Sequence, residues 1–88
     1  MKWDKVREQY PNSWVVFDSL EEHEENNILY VEDIAIIEVF NDLNDAYKLY
    51  RTLHRQDKNR KLSLGDTRKT SLEYEIKRIG LVLSLIHI

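Results

Sequence analysis

The densest run of chemically capable side chains in this sequence of 88 residues is Glu21-Glu22-His23-Glu24-Glu25. Carboxylates and imidazoles are ligands for divalent cations. Contiguous ligands on one polar segment do not converge on an ion without donors from a second segment, and no metal-binding spacing accompanies these. A solvated hairpin tip accounts for the run, so no metal or other cofactor is expected. His54 is the second candidate. An imidazole works as a general base only where a nucleophile or a water site faces it, and neither is identifiable in the sequence. A half-buried histidine near a helix C-terminus is the plainer reading. The chain has no Cys, which removes thiolate nucleophiles, disulfides and zinc–thiolate sites together. No catalytic constellation emerges, and the chain is not expected to be an enzyme.

Binding chemistry is better represented. Arg51, Arg55, Lys58, Arg60, Lys61, Arg68 and Lys69 gather in one stretch and form a candidate basic patch. Such a patch suits a phosphate backbone electrostatically. Trp3, Tyr10, Trp14, Phe17, Tyr30, Phe40, Tyr47 and Tyr50 could supply a stacking platform for single-stranded nucleic acid, but most fall at inward positions and are expected in the core. The formal net charge is −3, and it is unevenly divided. Residues 1–47 carry 3 Lys and Arg against 12 Asp and Glu, a balance of −9, whereas residues 48–88 carry 10 against 4, a balance of +6. The acidic half repels a polyanion at long range, and no groove-reading motif is present. The two halves are expected mainly to attract each other and to solvate the surface. Another protein is therefore the expected partner, with nucleic acid the alternative.

The elements that must position these groups follow from periodicity. Lys2–Gln9 reads as a short helix with Trp3, Val6 and Tyr10 on one face, ended by Pro11. Trp14–Leu20 has the composition of a strand, and the polar segment 21–27, closed by Asn26-Asn27, suits the tip of a hairpin. Ile28–Val31 resumes a strand that continues into Ile34–Phe40, a β-branched run expected to be covered on most of both faces. Glu32-Asp33 interrupts it and predicts a bulge or sharp bend. The period then changes. Leu43, Ala46, Tyr47, Tyr50, Leu53 and His54 define one stripe of a helix running to Arg55, with Asn41-Asp42 placed to cap it. Asp45 near the start and Arg51 and Arg55 near the end complement the helix dipole.

Beyond this helix, 56–60 is a polar connection, and Lys61–Gly65 is a short strand with Leu62 and Leu64 on one face. Return to the same sheet after a helix favours a right-handed crossover where the strands run parallel. Asp66–Ser71 reads as a loop. Leu72–Ile79 is ambiguous: Leu72, Tyr74 and Ile76 alternate as in a strand, while Thr70-Ser71-Leu72-Glu73 reads as a helix capping box. A strand is expected. The fold class is α+β, a small, mainly antiparallel sheet with one main helix packed on one face, in the order α-β-β-α-β-(β). A chain of this length makes one domain with one core. No apolar run reaches membrane-spanning length, no signal sequence opens the chain, and the lack of Cys in so small a domain fits a reducing, cytoplasmic setting.

Trp3, Val6-Arg7, Tyr10-Pro-Asn-Ser-Trp-Val15, Ile34–Phe40, Asn41–Tyr47, Leu53-His54, Thr70-Ser71 and Gly80 together resemble a group of small bacterial proteins. That group opens with Tyr-Pro-Asn-x-Trp-Val, carries a strand–helix unit ending in Leu-His, and closes with a strand, a Thr-Ser turn and a Gly. The resemblance implies the same α+β fold and brings no activity, cofactor or site residue with it. Leu83-Ser-Leu-Ile-His-Ile88 resembles something else, the conceptual translation of the transposon-end adapter used in DNA sequencing libraries. The expectation is an open reading frame truncated near Val82, with 1–82 as the domain and 83–88 as a non-native tail.

Overall fold

A computed structural model describes the backbone of residues 1–79 and 82–87 and the side chains of residues 1–76. Two helices, α1 (Trp3–Gln9) and α2 (Leu43–Gln56), accompany five strands: β1 (Trp14–Glu25), β2 (Ile28–Phe40), β3 (Leu62–Asp66), β4 (Leu72–Ile79) and β5 (Val82–His87). The strands form one sheet in the order β3-β1-β2-β4-β5, with every neighbouring pair antiparallel. The architecture is α+β, as the periodicity predicts. β2 and β3 run in the same direction but are not neighbours, because β1 lies between them.

The sheet grows from the long β1–β2 hairpin. Its tip is Asn26-Asn27, with φ of 53° and 63°. Asn tolerates this left-handed backbone, and two such residues in succession match the twist of a hairpin. Pairing therefore begins at once, with Glu25 opposite Ile28. This corrects the expectation that β1 ends at Leu20 and that 21–25 belongs to a polar tip. Ladder hydrogen bonds come from the backbone, so a strand that keeps Glu21, Glu24 and Glu25 in solvent satisfies them as well as an apolar one does.

Three irregularities bend the hairpin. Glu32 is left unpaired between Glu22↔Val31 and Glu21↔Asp33, a bulge at the expected place. Leu20 and Ile37 are also unpaired, and neither of those bulges was predicted. The residue at Ile37 decides how the apolar run is shared. Ile34, Ile36 and Val39 pack with one core, whereas Ile37 and Phe40 pack with the other. A single extra residue shifts the side-chain alternation by one, which lets a continuous β-branched run serve both faces.

One core gathers Val15, Phe17, Val31, Ile34, Leu72 and Tyr74 beneath Trp3 and Val6 of α1. The other places Val16 and Leu62 against Ala46 of α2, with Leu49, Tyr50, Leu53 and Leu64 around them. β1 is thus covered on both sides, so the sheet is sandwiched and α1 covers the face opposite the main helix. The sheet also curls. β3 and β4 are separated by two strands, yet the Tyr74 hydroxyl donates to the Leu64 carbonyl at 3.0 Å. Gly65 sits where they approach. A Cβ built there would lie 2.8 Å from Leu72 Cδ2 and 3.2 Å from both Phe17 and Trp3.

The α2 stripe needs correction. Asp42 caps the helix by accepting from Asn44 N–H at 2.8 Å. The packed centre, however, is buried Ala46 with half-buried Leu49, Tyr50 and Leu53 around it. Leu43, Tyr47 and His54, all assigned to the stripe, are exposed. At 100° per residue they lie about 60°, 100° and 80° around the helix from Ala46, on its flank, while Leu49 falls on the other side of the same centre. β4 is a strand, with Leu72 and Tyr74 buried and Leu72–Glu75 paired to β2. The alternation prevails over the capping box, and the Ser71 hydroxyl bonds to the Glu73 carboxylate beside the strand.

Candidate functional site

The sequence-derived candidates divide according to which end of the curled sheet they occupy. β3 runs about 13 Å from Leu62 to Asp66, taking 3.3 Å per strand residue. Arg55, Lys58, Arg60 and Lys61 lie before its start, and Arg68 and Lys69 follow its end. The seven cations differ in their engagement. Arg60 forks onto Asp18, with Nη2 to Oδ2 at 2.5 Å and Nε to Oδ1 at 3.2 Å. That carboxylate holds the Arg60 guanidinium above its ordinary range. Lys61 Nζ lies 3.1 Å from Glu22, and Arg68 bonds Asp66 at 2.9 Å while its guanidinium stacks over Trp14 at 5.3 Å. The Lys69 carbonyl accepts from the Trp3 indole at 3.0 Å, a structural contact. Arg51, Arg55 and Lys58 have no carboxylate partner among the described residues. Two of these ion pairs, Arg60–Asp18 and Lys61–Glu22, join the basic half of the chain to the acidic half.

A cleft of about 490 Å³ opens at the end of the sheet nearest Arg60. Leu29 and Val31 of β2, Leu62 of β3 and Tyr74 of β4 supply its apolar floor. α2 contributes Tyr50 and His54, and the connection after it contributes Lys58, Arg60 and Lys61. Ser19, Glu22 and Ser63 complete the polar lining, with Ser19 Oγ donating to Glu22 at 2.8 Å. Tyr74 is 3% exposed, and burial pushes its hydroxyl well above the ordinary tyrosine range, an effect that its hydrogen bond with Ser63 only partly offsets. The phenol stays neutral and anchors β4 to β3. The helix period of α2 cannot disclose Tyr74, since its partner Leu64 becomes a neighbour only when the sheet curls.

A ladder of rings runs along the flank of α2 into this cleft. Tyr47 and Tyr50 stack with centroids 6.3 Å apart and an interplanar angle of 26°, and Tyr50 and His54 follow at 5.7 Å and 7°. The Arg51 guanidinium lies 5.8 Å from the Tyr47 ring centre. Tyr47 is 49% exposed. His54 is also exposed, which corrects its expected half-burial. No nucleophile–base pair is formed with it among the contacts of the described residues.

The acidic run is split by strand alternation. Glu22 turns toward the cleft, whereas His23 stacks on its cross-strand partner Tyr30 at 5.0 Å and places Nδ1 2.6 Å from Glu32. Among the described residues no group of three or more His, Asp or Glu side chains converges as a metal site. His23, Tyr30 and Glu32 instead line a second, shallower cleft of about 370 Å³ with Trp3, Thr70 and Leu72. No helix among the described residues is long and apolar enough to cross a membrane. Compared with known proteins, the chain matches no family model, no curated protein and no solved structure.

Proposed function

We propose that this chain is a non-enzymatic interaction module that binds another protein through the exposed flank of α2 and the adjoining cleft. The observation that carries the reading is the placement of Tyr47 and His54. A helix that packs Ala46, Leu49, Tyr50 and Leu53 against the sheet nonetheless leaves Tyr47 and His54, which stack on either side of Tyr50, in solvent. Exposed aromatic side chains beside unpaired arginines are the residue types enriched at protein interfaces. The lack of Cys supports a reducing compartment such as the cytoplasm.

Nucleic-acid binding is the competing reading, and the divided patch speaks against it. Arg60, Lys61 and Arg68 already have carboxylate partners, and Lys69 follows the far end of β3 from Arg55 and Lys58. The test places a photo-crosslinking residue at position 47, 54 or 8 of the full chain in cells. Positions 47 and 54 should yield the same discrete protein adduct, and position 8, exposed on α1, should not. A titration with mixed-sequence RNA and DNA at physiological salt accompanies it. Micromolar binding that Arg51→Gln, Arg55→Gln and Lys58→Gln together abolish would overturn the protein reading, because phosphate contacts fail uniformly when cations are removed.

A further inference from the structure

Around α2 the side chains fall in three adjacent bands. At 100° per residue, the buried stripe centres on Ala46, the exposed rings of His54 and Tyr47 follow at about 80° and 100°, and Arg51 and Arg55 follow at about 140° and 180°. Lys58 continues the cationic band beyond the helix to the mouth of the cleft. Arg51, Arg55 and Lys58 have no carboxylate partner among the described residues, although the chain carries an excess of acidic groups. Asp18 and Glu22 hold Arg60 and Lys61 at the same cleft, so these two carboxylates are already engaged. With Asp42, Asp45 and Asp57 counted against Lys48, Arg51, Arg55 and Lys58, residues 42–58 keep a formal balance of +1, and the cations Arg51, Arg55 and Lys58 lie beside an aromatic row that ends in an apolar-floored pocket.

We propose that this surface takes an acidic peptide segment in extended form, with one apolar side chain seated in the cleft and flanking Asp or Glu residues paired to Arg51, Arg55 and Lys58. This rests on the interaction-module reading and names the chemistry of the partner. From Tyr47 to His54 the row rises about 10 Å, the length of about three extended residues. An anchor of aliphatic or aromatic type fits between His54 and Tyr50 on one side and Leu29 and Leu62 on the other. Carboxylates then replace water around the unpaired cations. The field supplies encounter rate and salt dependence, and the anchor supplies residence.

The experiment uses the full chain and three fluorescein-labelled peptides of equal length. One is Glu-Asp-Asp-Phe-Glu-Asp-Leu-Asp, the second has Ser in place of Phe and Leu, and the third has Lys in place of every acid. The first should bind at least tenfold more tightly than either control, with affinity falling as salt rises. Amide shifts on binding should centre on Tyr50, His54, Lys58 and Leu62. Arg51→Gln, Arg55→Gln and Lys58→Gln together should weaken binding at least tenfold with at most a small shift of the thermal melt, since all three side chains are exposed. Tyr47→Ser with His54→Ser, also exposed, should weaken it through the aromatic row. Equal binding of the first two peptides, shifts centred elsewhere, or tighter binding of short RNA would overturn the inference. So would salt-reversible self-association through this surface in sedimentation, because the occupant would then be a second copy. If positions 47 and 54 crosslink a protein but the acidic peptide does not bind, the partner chemistry is wrong and the interaction reading stands. If neither occurs, both fall.

Discussion

Thr67 joins the front of the chain to its second half through one buried hydroxyl. Its Oγ1 accepts from Ser13 N–H at 2.8 Å and donates to the Ser13 carbonyl at 3.1 Å, while its backbone N–H donates to that carbonyl at 3.0 Å. Thr67→Val keeps the shape and strands a buried donor, which should cost about 1–3 kcal/mol in denaturant melts. Thr67→Ser, which retains the hydroxyl, should recover most of that loss. A loss below half of the lower bound would mean that the Ser13 amide finds another acceptor. Asp33 makes the other end-to-end contact, with Oδ1 2.5 Å from the Met1 ammonium. The hydrogen bond from that ammonium, helped by its charge, holds the carboxyl below the ordinary value of 3.8. A lowered folded-state pKa means stability that is present above the unfolded value and lost as pH falls through the folded one. Asp33→Asn should therefore flatten the stability profile below about pH 4 and change little of its shape above pH 5. Because the pair is exposed, added salt should shrink the difference between the two proteins. An identical acid limb for both would remove Asp33 from the acid response.

At the scale of elements, α2 is the strictest check on the reading of periodicity. Leu53 packs in the second core and Leu43 does not, although simple spacing assigns both to one stripe. Leu53→Ala should cost about 2 kcal/mol, the lower end for leucine truncation because the side chain is only half-buried, and Leu43→Ala less than about 0.5 kcal/mol. Equal losses would restore the stripe as drawn from the sequence. What sequence reading recovers here are properties of single elements: the Asp42 cap, the strand alternation of Leu72–Ile79, the bulge at Glu32, and the double coverage of Ile34–Phe40. It misplaces whatever depends on a neighbour. The length of β1 is set by the Asn26-Asn27 turn and the partner strand, since hydrophobicity alone would end it at Leu20. Likewise the offset of the α2 stripe is set by where β1 and β3 present Val16 and Leu62.

For the whole molecule, the governing feature is a sheet bent until its β3 and β4 strands touch. The candidate cleft exists because of that curl. Its floor takes Leu29, Leu62 and Tyr74 from three strands, and no local pattern links them. His54, Lys58, Arg60 and Lys61 were legible as chemistry, yet the carboxylates that neutralise Arg60 and Lys61 come from β1, some forty positions away, and so could not be foreseen. The curl also bears on the C-terminus. Every described core side chain lies between Trp3 and Tyr74. β4 joins the sheet through Leu72–Glu75 against Ile28–Val31, and β5 adds a ladder on its other edge from Val82 to His87. Hydrogen bonds at an exposed edge exchange with water at small net gain. A chain ending at Val82 should therefore fold to the same structure and lose no more than about 1 kcal/mol. Amide exchange locates the change. Protection should fall for the β4 amides facing β5 and persist in the β1–β2 hairpin and α2, because β4 becomes the new edge while both cores stay closed. A loss of several kcal/mol, or loss of protection at Val15 to Phe17, would make β5 part of the cooperative core and rule out a dispensable tail.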